Sequence, residues 1–242
     1  MNILHLVLGC KNPHYTPIEN AAKETWLKNS PENIKTIFMY GGSDKIYWDG
    51  EESFYVNRPE SHHYNICLYK TITSFECFIE SEFDYVYRTN NTGYFDLNVV
   101  SKFVEDKPTE NFYCGNSQMY ERSSNTPTAP YPGINYASGA SYFLSKDMVK
   151  KIIEDKEILY SYNLPGWCDD VSVGKFITEY LKVKINQNSK RLAVTLNDID
   201  EDIDLSHYHY RIEESSLGNS IKNVQAIYKI YDFKNKLMEK LS

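Results

Sequence analysis

The apolar positions fall into short runs separated by longer stretches with helical spacing. Residues 3–9, Ile-Leu-His-Leu-Val-Leu-Gly, make one such run ending in glycine, the pattern of a central parallel strand. Thr16-Pro17-Ile18-Glu19 then has the make-up of a capping box, with Thr16 as cap and Pro17 at the first helical position. That helix is predicted to run to about Lys28 and to stop before Pro31. Residues 34–40 read as a second strand closed by Gly41-Gly42. Between Tyr64 and Glu80, Ile66, Tyr69, Ile72, Phe75 and Ile79 recur at helical spacing.

Residues 83–88 predict a third strand, and Asp96 suits the cap of a helix through Val104. Residues 112–114 are another short strand, followed over 118–135 by a Ser-, Thr- and Pro-rich loop with room for a hairpin. Residues 141–144 precede Ser145, a cap for a helix over 146–155. Asp169 or Asp170 precedes a helix over 171–181, and 192–196 is a late strand. A closing amphipathic helix over 220–241 has Ile221, Val224, Tyr228, Tyr231 and Met238 as its apolar positions. Strands alternating with helices predict an α/β fold, one domain with an open, mostly parallel central sheet and helices on both faces.

With 242 residues and a net charge of −7, the chain fits one such domain and lacks the basic face of a broad nucleic-acid binder. Lys182, Lys184, Lys190 and Arg191 form the one dense basic cluster in the sequence. No apolar run is long enough to span a membrane, and the first residues lack a basic leader and a cleavage site. The five cysteines form no Cys-x-x-Cys pair and are odd in number, which suits reduced thiols in the cytoplasm. Tyrosine is abundant at 21 residues, an apolar face with a polar edge that suits sugar rings and nucleobases.

Ligands of open α/β sheets sit outside the carboxyl ends of the strands. The loop after Gly9, the loop after Arg88, Ser138-Gly139 and the segment 167–170 are expected to converge there. No Gly-x-Gly-x-x-Gly or Walker-type loop follows the first strand, and Gly-x-Ser-x-Gly and His-Glu-x-x-His are absent, which excludes the commonest nucleotide, hydrolase and zinc-protease motifs.

Five segments, in order, resemble the β-1,3-glycosyltransferases of the fringe and β-1,3-galactosyltransferase type. Ala21-Ala-Lys-Glu-Thr25-Trp26 is similar to that family's Ala-Ile-Arg-x-Thr-Trp. Tyr64-Asn-Ile-Cys-Leu-Tyr-Lys70-Thr71 is similar to Tyr-x-Asn-Leu-x-x-Lys-Thr, one residue shorter before the Asn. Tyr113-Cys-Gly115 resembles the strand before the family's variable loop. Tyr131-Pro132, then Tyr136-Ala-Ser138-Gly139-Ala-Ser-Tyr142, resemble Tyr-Pro-x-Tyr-Cys-Ser-Gly-Gly-Gly-Tyr. Cys168-Asp-Asp-Val-Ser-Val-Gly174 resembles Glu-Asp-Val-x-x-Gly, and Ser206-His-Tyr-His209 is similar to fringe's Phe-His-Ser-His.

The resemblance implies a GT-A fold, a nucleotide-diphosphate sugar donor with UDP favoured, and inverting transfer. It implies Asp170 as general base with Asp169 second, and donor contacts from Lys23, Lys70, Arg88, Thr89, Asn90, Asn91, Ser138 and Gly139. Trp167 beside the acidic pair suits stacking on acceptor sugar. Where the family carries a metal-holding aspartate run, this chain has Asn90-Asn91-Thr92. Neutral amides are poor ligands for Mg²⁺ or Mn²⁺. Two outcomes stay open: no metal, with Arg88, Lys23 and Lys70 neutralising the diphosphate, or a weakly held Mn²⁺ or Mg²⁺ with His209 as a ligand.

Residues 1–115 then form a nucleotide-sugar half, 116–219 an acceptor and catalytic half, and 220–242 the closing helix. The acceptor classes are a glycan, a lipid-linked glycan or a protein, in a bacterial cell or a virus-infected one. The alternatives are an inactive protein that only binds nucleotide or glycan, and a phage enzyme that glycosylates a hydroxymethylated base in DNA.

Overall fold

The structure, a computed structural model, describes residues 1–60, 64–120, 133–163, 168–187, 190–200, 202–213 and 220–241. The first half contains β1 (Ile3–Leu8), α1 (Thr16–Glu24), β2 (Ile34–Tyr40), β3 (Tyr47–Trp48), β4 (Ser53–Tyr55), α2 (Tyr64–Phe78) and β5 (Tyr85–Asn90). Next come β6 (Gly93–Phe95), α3 (Leu97–Val104), β7 (Tyr113–Tyr120), β8 (Ile134–Ser145), α4 (Lys146–Glu154) and α5 (Lys156–Ser161). The chain continues through α6 (Asp169–Lys175), a π-helical turn at Phe176–Tyr180, β9 (Asn186–Gln187), β10 (Arg191–Val194), β11 (His209–Ile212) and α7 (Ser220–Leu241).

Eight strands form the main sheet in the order β3-β4-β2-β1-β5-β8-β7-β9. The pairs β2–β4, β1–β2, β1–β5 and β7–β9 are parallel, so the sheet is mostly parallel as the strand–helix alternation predicts. It is interrupted by β8, which runs against both β5 and β7, and by the short edge strand β3. β10, β11 and β6 form a second sheet that packs on the same core as the first.

Side chains on β5 alternate between two cores. Tyr85 and Tyr87 belong to the cluster with Ile18 and Trp26 of the first-helix segment, Val100 of α3 and Ile227 of α7. Val86 belongs to the cluster with Leu68 and Ile72 of α2, Met148 of α4 and Val173 of α6. Helices therefore cover both faces, and a change of one residue along β5 moves a side chain from one core to the other.

Several boundaries differ from the sequence reading. Tyr15, not Thr16, precedes α1, and Thr16 Oγ1 donates instead to the Asn12 carbonyl. The third strand begins at Tyr85, because the Asp84 and Tyr85 N–H groups donate to Asn2 O in the approach to the sheet. The loop expected over 118–135 is strand at both ends, where Gln118 pairs with Tyr136 and Met119 with Asn135. Ser138-Gly139, unassigned by the sequence reading, lies within β8. The closing helix has the expected bounds but a rotated face: Ala226, Ile227 and Ile230 are buried, while Ile221 and Met238 are 70% and 68% exposed.

Gly174 shows how closely α6 packs on β8. A Cβ there would lie 2.7 Å from Tyr136 Cα and against Tyr136 Cβ. Alanine would gain about 1 kcal/mol of helix propensity, but overpacking against backbone costs about 1–3 kcal/mol. Gly174→Ala is therefore expected to lower stability by up to about 2 kcal/mol in a urea melt, although alanine is the better helix former.

Candidate active site

The carboxyl end of β5 carries Arg88, whose side chain is 1% exposed in the core shared with α2 and α6. Arg88 is opposite Leu6 of β1 and Tyr142 of β8, at the centre of the sheet. Its Nη2 donates to Asp169 Oδ2, and its Nη1 donates to the Gly139 carbonyl and to Asn90 Oδ1 at 3.2 Å. Its Nε–H has no acceptor among the described residues. Burial, the largest influence, disfavours the guanidinium charge, but the Asp169 carboxylate together with the neighbouring Tyr142, Cys67 and Asp170 groups outweighs it, so Arg88 stays cationic.

Asp170 sits beside this pair in the first turn of α6. Its Oδ2 accepts from Gly139 N at 2.6 Å and its Oδ1 from Val171 N at 3.0 Å. The carboxyl is pushed up to about 6, first by burial and then by the neighbouring Asp169 charge. Backbone donors and Arg88 pull the other way without cancelling that rise. Gly139 is the hinge of the arrangement, because a Cβ there would stand 3.0 Å from both Arg88 Nη1 and Asp170 Cβ. Cys67 of α2 flanks the cluster and remains a thiol, raised to about 12 by burial and then by Asp169.

A carboxyl held near 6 predicts the pH profile. Any step that needs the Asp170 carboxylate should gain rate as pH rises through about 6 and level off above it. Asp169→Asn removes the like charge, lowers the Asp170 pKa and should move that acidic limb to lower pH in a kcat/KM profile.

The structure brings Arg88, Asn90, Gly139, Asp169 and Asp170 together. Thr89 lies on the opposite face of β5, where its Oγ1 is 3.0 Å from His5 Nε2, and His5 Nδ1 is 3.2 Å from Thr36 Oγ1. His209 is on that same opposite face. Its Nδ1 is 2.7 Å from Ser141 Oγ, and its ring lies tilted against Phe95, with centroids 4.7 Å apart. Burial, then Arg191 and Arg211, holds His209 neutral, well below its ordinary range. Lys23 pairs with Glu19 and Glu52 at 3.3 Å each. Ser138 accepts from Ala140 N within β8, and Asn91 is buried. Trp167 and Tyr131-Pro132 lie outside the described residues.

Lys70 is buried in a clasp rather than presented as a separate cation. Its Nζ donates to Gly9 O at 3.0 Å and to Glu60 Oε1 at 2.7 Å. Glu60 Oε2 in turn accepts from Lys11 N and Gly41 N, so one ion pair ties α2 to the loops after β1 and β2. Sequence reasoning missed Glu60, which no motif marks, and Lys11. Lys11 had a signal, since it directly follows the first strand at its carboxyl end. Its ammonium lies 4.5 Å from the Tyr40 ring centroid and 5.3 Å from that of Tyr55.

The residues around Asn90 do not suit a divalent cation. Asn90 Oδ1 already accepts from Arg88, and His209 is turned to Ser141 on the far face. Among the described residues no three His, Cys, Asp or Glu side chains gather as metal ligands. Of the basic cluster, Lys182 and Lys184 precede β9 of the main sheet while Arg191 opens β10 of the other, with one guanidinium nitrogen enclosed.

No protein-family model and no curated protein matches the chain. Among solved structures it is similar to a glycosyltransferase involved in the glycosylation of the major capsid of PBCV-1. The two are 12% identical, with a TM-score of 0.50, over 93% of this chain and 99% of that one. No helix among the described residues is long and apolar enough to cross a membrane. The mixed sheet, the helices on both faces and this likeness together show that the chain has a GT-A-like glycosyltransferase fold.

Proposed function

We propose that this chain moves a glycosyl group from a nucleotide-diphosphate sugar, UDP-linked by preference, to an acceptor hydroxyl with inversion. The Asp170 carboxylate carries the reading: it is fixed by two backbone N–H groups, raised to about 6, and set at the carboxyl end of the sheet. As the acceptor oxygen attacks the anomeric carbon, Asp170 takes the hydroxyl proton and the nucleoside diphosphate departs with the bonding electrons. Asp169 holds Arg88 in place and keeps the Asp170 pKa near the working range. The acceptor is a glycan, a lipid-linked glycan or a protein.

Negative charge on the departing diphosphate needs a positive or hydrogen-bonding field. Lys11, after β1, is this chain's means of supplying it. A cleft of about 490 Å³ lined by Gly42, Ser43, Asp44, Asn57, Arg58 and Pro59, beyond β2 and β4, has the volume for a nucleoside. The accepted nucleotide-sugar, at about a hundred times its Kd, should raise Tm by roughly 5–10 °C. Initial rates should survive saturating EDTA. Loss of activity in EDTA with recovery on Mn²⁺ would make the site metal-dependent and overturn this electrostatic scheme, though not the transfer itself.

A further inference from the structure

The three-stranded second sheet has two unlike faces. Its strands β10 and β11 are parallel, with Arg191 opposite His209 and Ala193 opposite Arg211. Alternation along each strand puts Leu192, Val194, Tyr210 and Ile212 on one face, packed in the core shared with the main sheet. Arg191, Ala193, His209 and Arg211 share the other face. Ala193, which flanks both arginines, is small and exposed. On its other side Arg211 is opposite Gly93 of β6, and Asn90, just before that strand, accepts from Arg88. The arginine pair is therefore beside the turn that leaves the carboxyl end of β5.

Two guanidiniums on this face meet one carboxylate. Arg211 Nε lies 3.5 Å from Glu213 Oε1, and its Nη groups have no partner among the described residues. The Arg211 side chain is 40% exposed, so that fork is accessible to a ligand. Arg191 is half-buried and forms no ion pair among the described residues. Of its guanidinium nitrogens Nη1 alone is enclosed without a partner, which leaves the Nε–Nη2 edge for a bidentate contact. Burial, then Arg211, pulls Arg191 below its ordinary value, and Glu213 offsets this only in part. Burial keeps the nearby Tyr87 and Tyr208 phenols neutral, and His209 is neutral as well. Arginine keeps its proton at neutral pH, so the face stays net positive.

We infer that Arg191 and Arg211 form a phosphate-binding site on the second sheet, in which the open edges of both guanidiniums take the oxygens of one phosphate or diphosphate group. Paired planar forks with a net positive charge match the geometry and charge of such a group. Two sources carry it: the diphosphate of a sugar donor, or a phosphate on the acceptor. The first rests on the transfer reading; the second does not.

Calorimetric titration of the full chain at low salt with inorganic pyrophosphate, UDP and uridine gives the test. Pyrophosphate should bind saturably, with a Kd between about 10 µM and 1 mM. Arg211→Gln removes an accessible fork, and Arg191→Lys keeps the charge but not the fork. Each should weaken pyrophosphate about tenfold. Lys184→Gln removes the same charge from an exposed position before β9 and should leave the affinity unchanged. A matching loss of UDP affinity in the arginine variants, with uridine indifferent to them, assigns the phosphate to the donor. UDP affinity that holds while pyrophosphate affinity falls assigns it to a phosphorylated acceptor. No binding of pyrophosphate, binding unchanged in both arginine variants, or an equal loss in Lys184→Gln overturns the site. Asp170→Asn keeps the two readings apart, since it should abolish nucleotide release and leave pyrophosphate affinity unaltered. Pyrophosphate binding by a wild-type protein that releases no nucleotide would count against transfer and not against this site.

Discussion

Asp170→Asn is expected to lower sugar transfer by about a hundred- to ten-thousand-fold while leaving donor affinity near wild type. The amide keeps the shape of the carboxylate and one acceptor oxygen for the Gly139 or Val171 N–H, but it cannot take a proton from an attacking hydroxyl. The stability change has the opposite sign to the activity change. A carboxyl whose folded pKa is raised to about 6 is favoured in its protonated form by the fold. Its contribution is full below the ordinary aspartate range and is lost as pH rises through about 6. At pH 7 wild-type Asp170 is therefore a charge the fold holds at a cost, beside Asp169. The variant should melt at or above the wild-type temperature at pH 7, with the advantage gone at pH 4. A dead enzyme with an undiminished Tm separates a catalytic role from a structural one. If transfer persists at near wild-type rate, the base lies elsewhere, and Asp169 becomes the group to replace.

Arg88→Met is expected to cost about 3–5 kcal/mol of stability, since it leaves the buried Asp169 carboxylate without its partner. The geometry also predicts how far each replacement recovers. Arg88→Lys retains a charge, but a single ammonium cannot reach Asp169, Gly139 and Asn90 as the fork does. It should recover the smaller part of the loss. Arg88→Met/Asp169→Leu removes both charges and should recover most of the stability, with activity still low because Asp170 loses its neighbours. Urea melts of the three variants decide the matter. A Met variant as stable as wild type would mean that the pair is not a buried ion pair in solution.

The parallel core was readable because it depends on local pattern. The run at β1, the glycine closure after β2 and the 3.6-residue spacing of α2 all arise from neighbours in sequence. The long strand β8 was not readable in full, because Ala137, Ser138, Gly139 and Ala140 lack the alternation that marks a strand. Its identity depends on pairing with β5 and β7. The rotated face of α7 has a similar origin: Asn223 and Lys234 are buried polar residues on its inner side, and Lys234 is neutralised by Asp96 from 138 residues away.

The site divides in the same way. Asp169-Asp170 at a helix start was visible as a motif, although the two lie in the first turn of α6 and Cys168 takes the cap position the sequence reading gave them. The state of Arg88 was not, because its partner lies 81 residues ahead and its other acceptor is a backbone carbonyl. Strand alternation would have separated Thr89 from Arg88, since adjacent residues of a strand face opposite sides. The sequence expectation of Lys70 as a donor cation had no means of foreseeing Glu60, which sits in an irregular loop.

Asp170, by taking the acceptor proton, is what lets the nucleotide leave its sugar donor. The most direct test of that role is the release of free nucleotide from a panel of nucleotide-sugars, UDP-sugars first, by wild type and by Asp170→Asn at pH 7.5, in EDTA and again with Mn²⁺ supplied. The account predicts steady release by wild type with at least one donor, and at least about a hundredfold less by the variant at equal donor occupancy. Equal release by the two proteins, or tight donor binding by wild type with no release and no transfer to any acceptor, would contradict it.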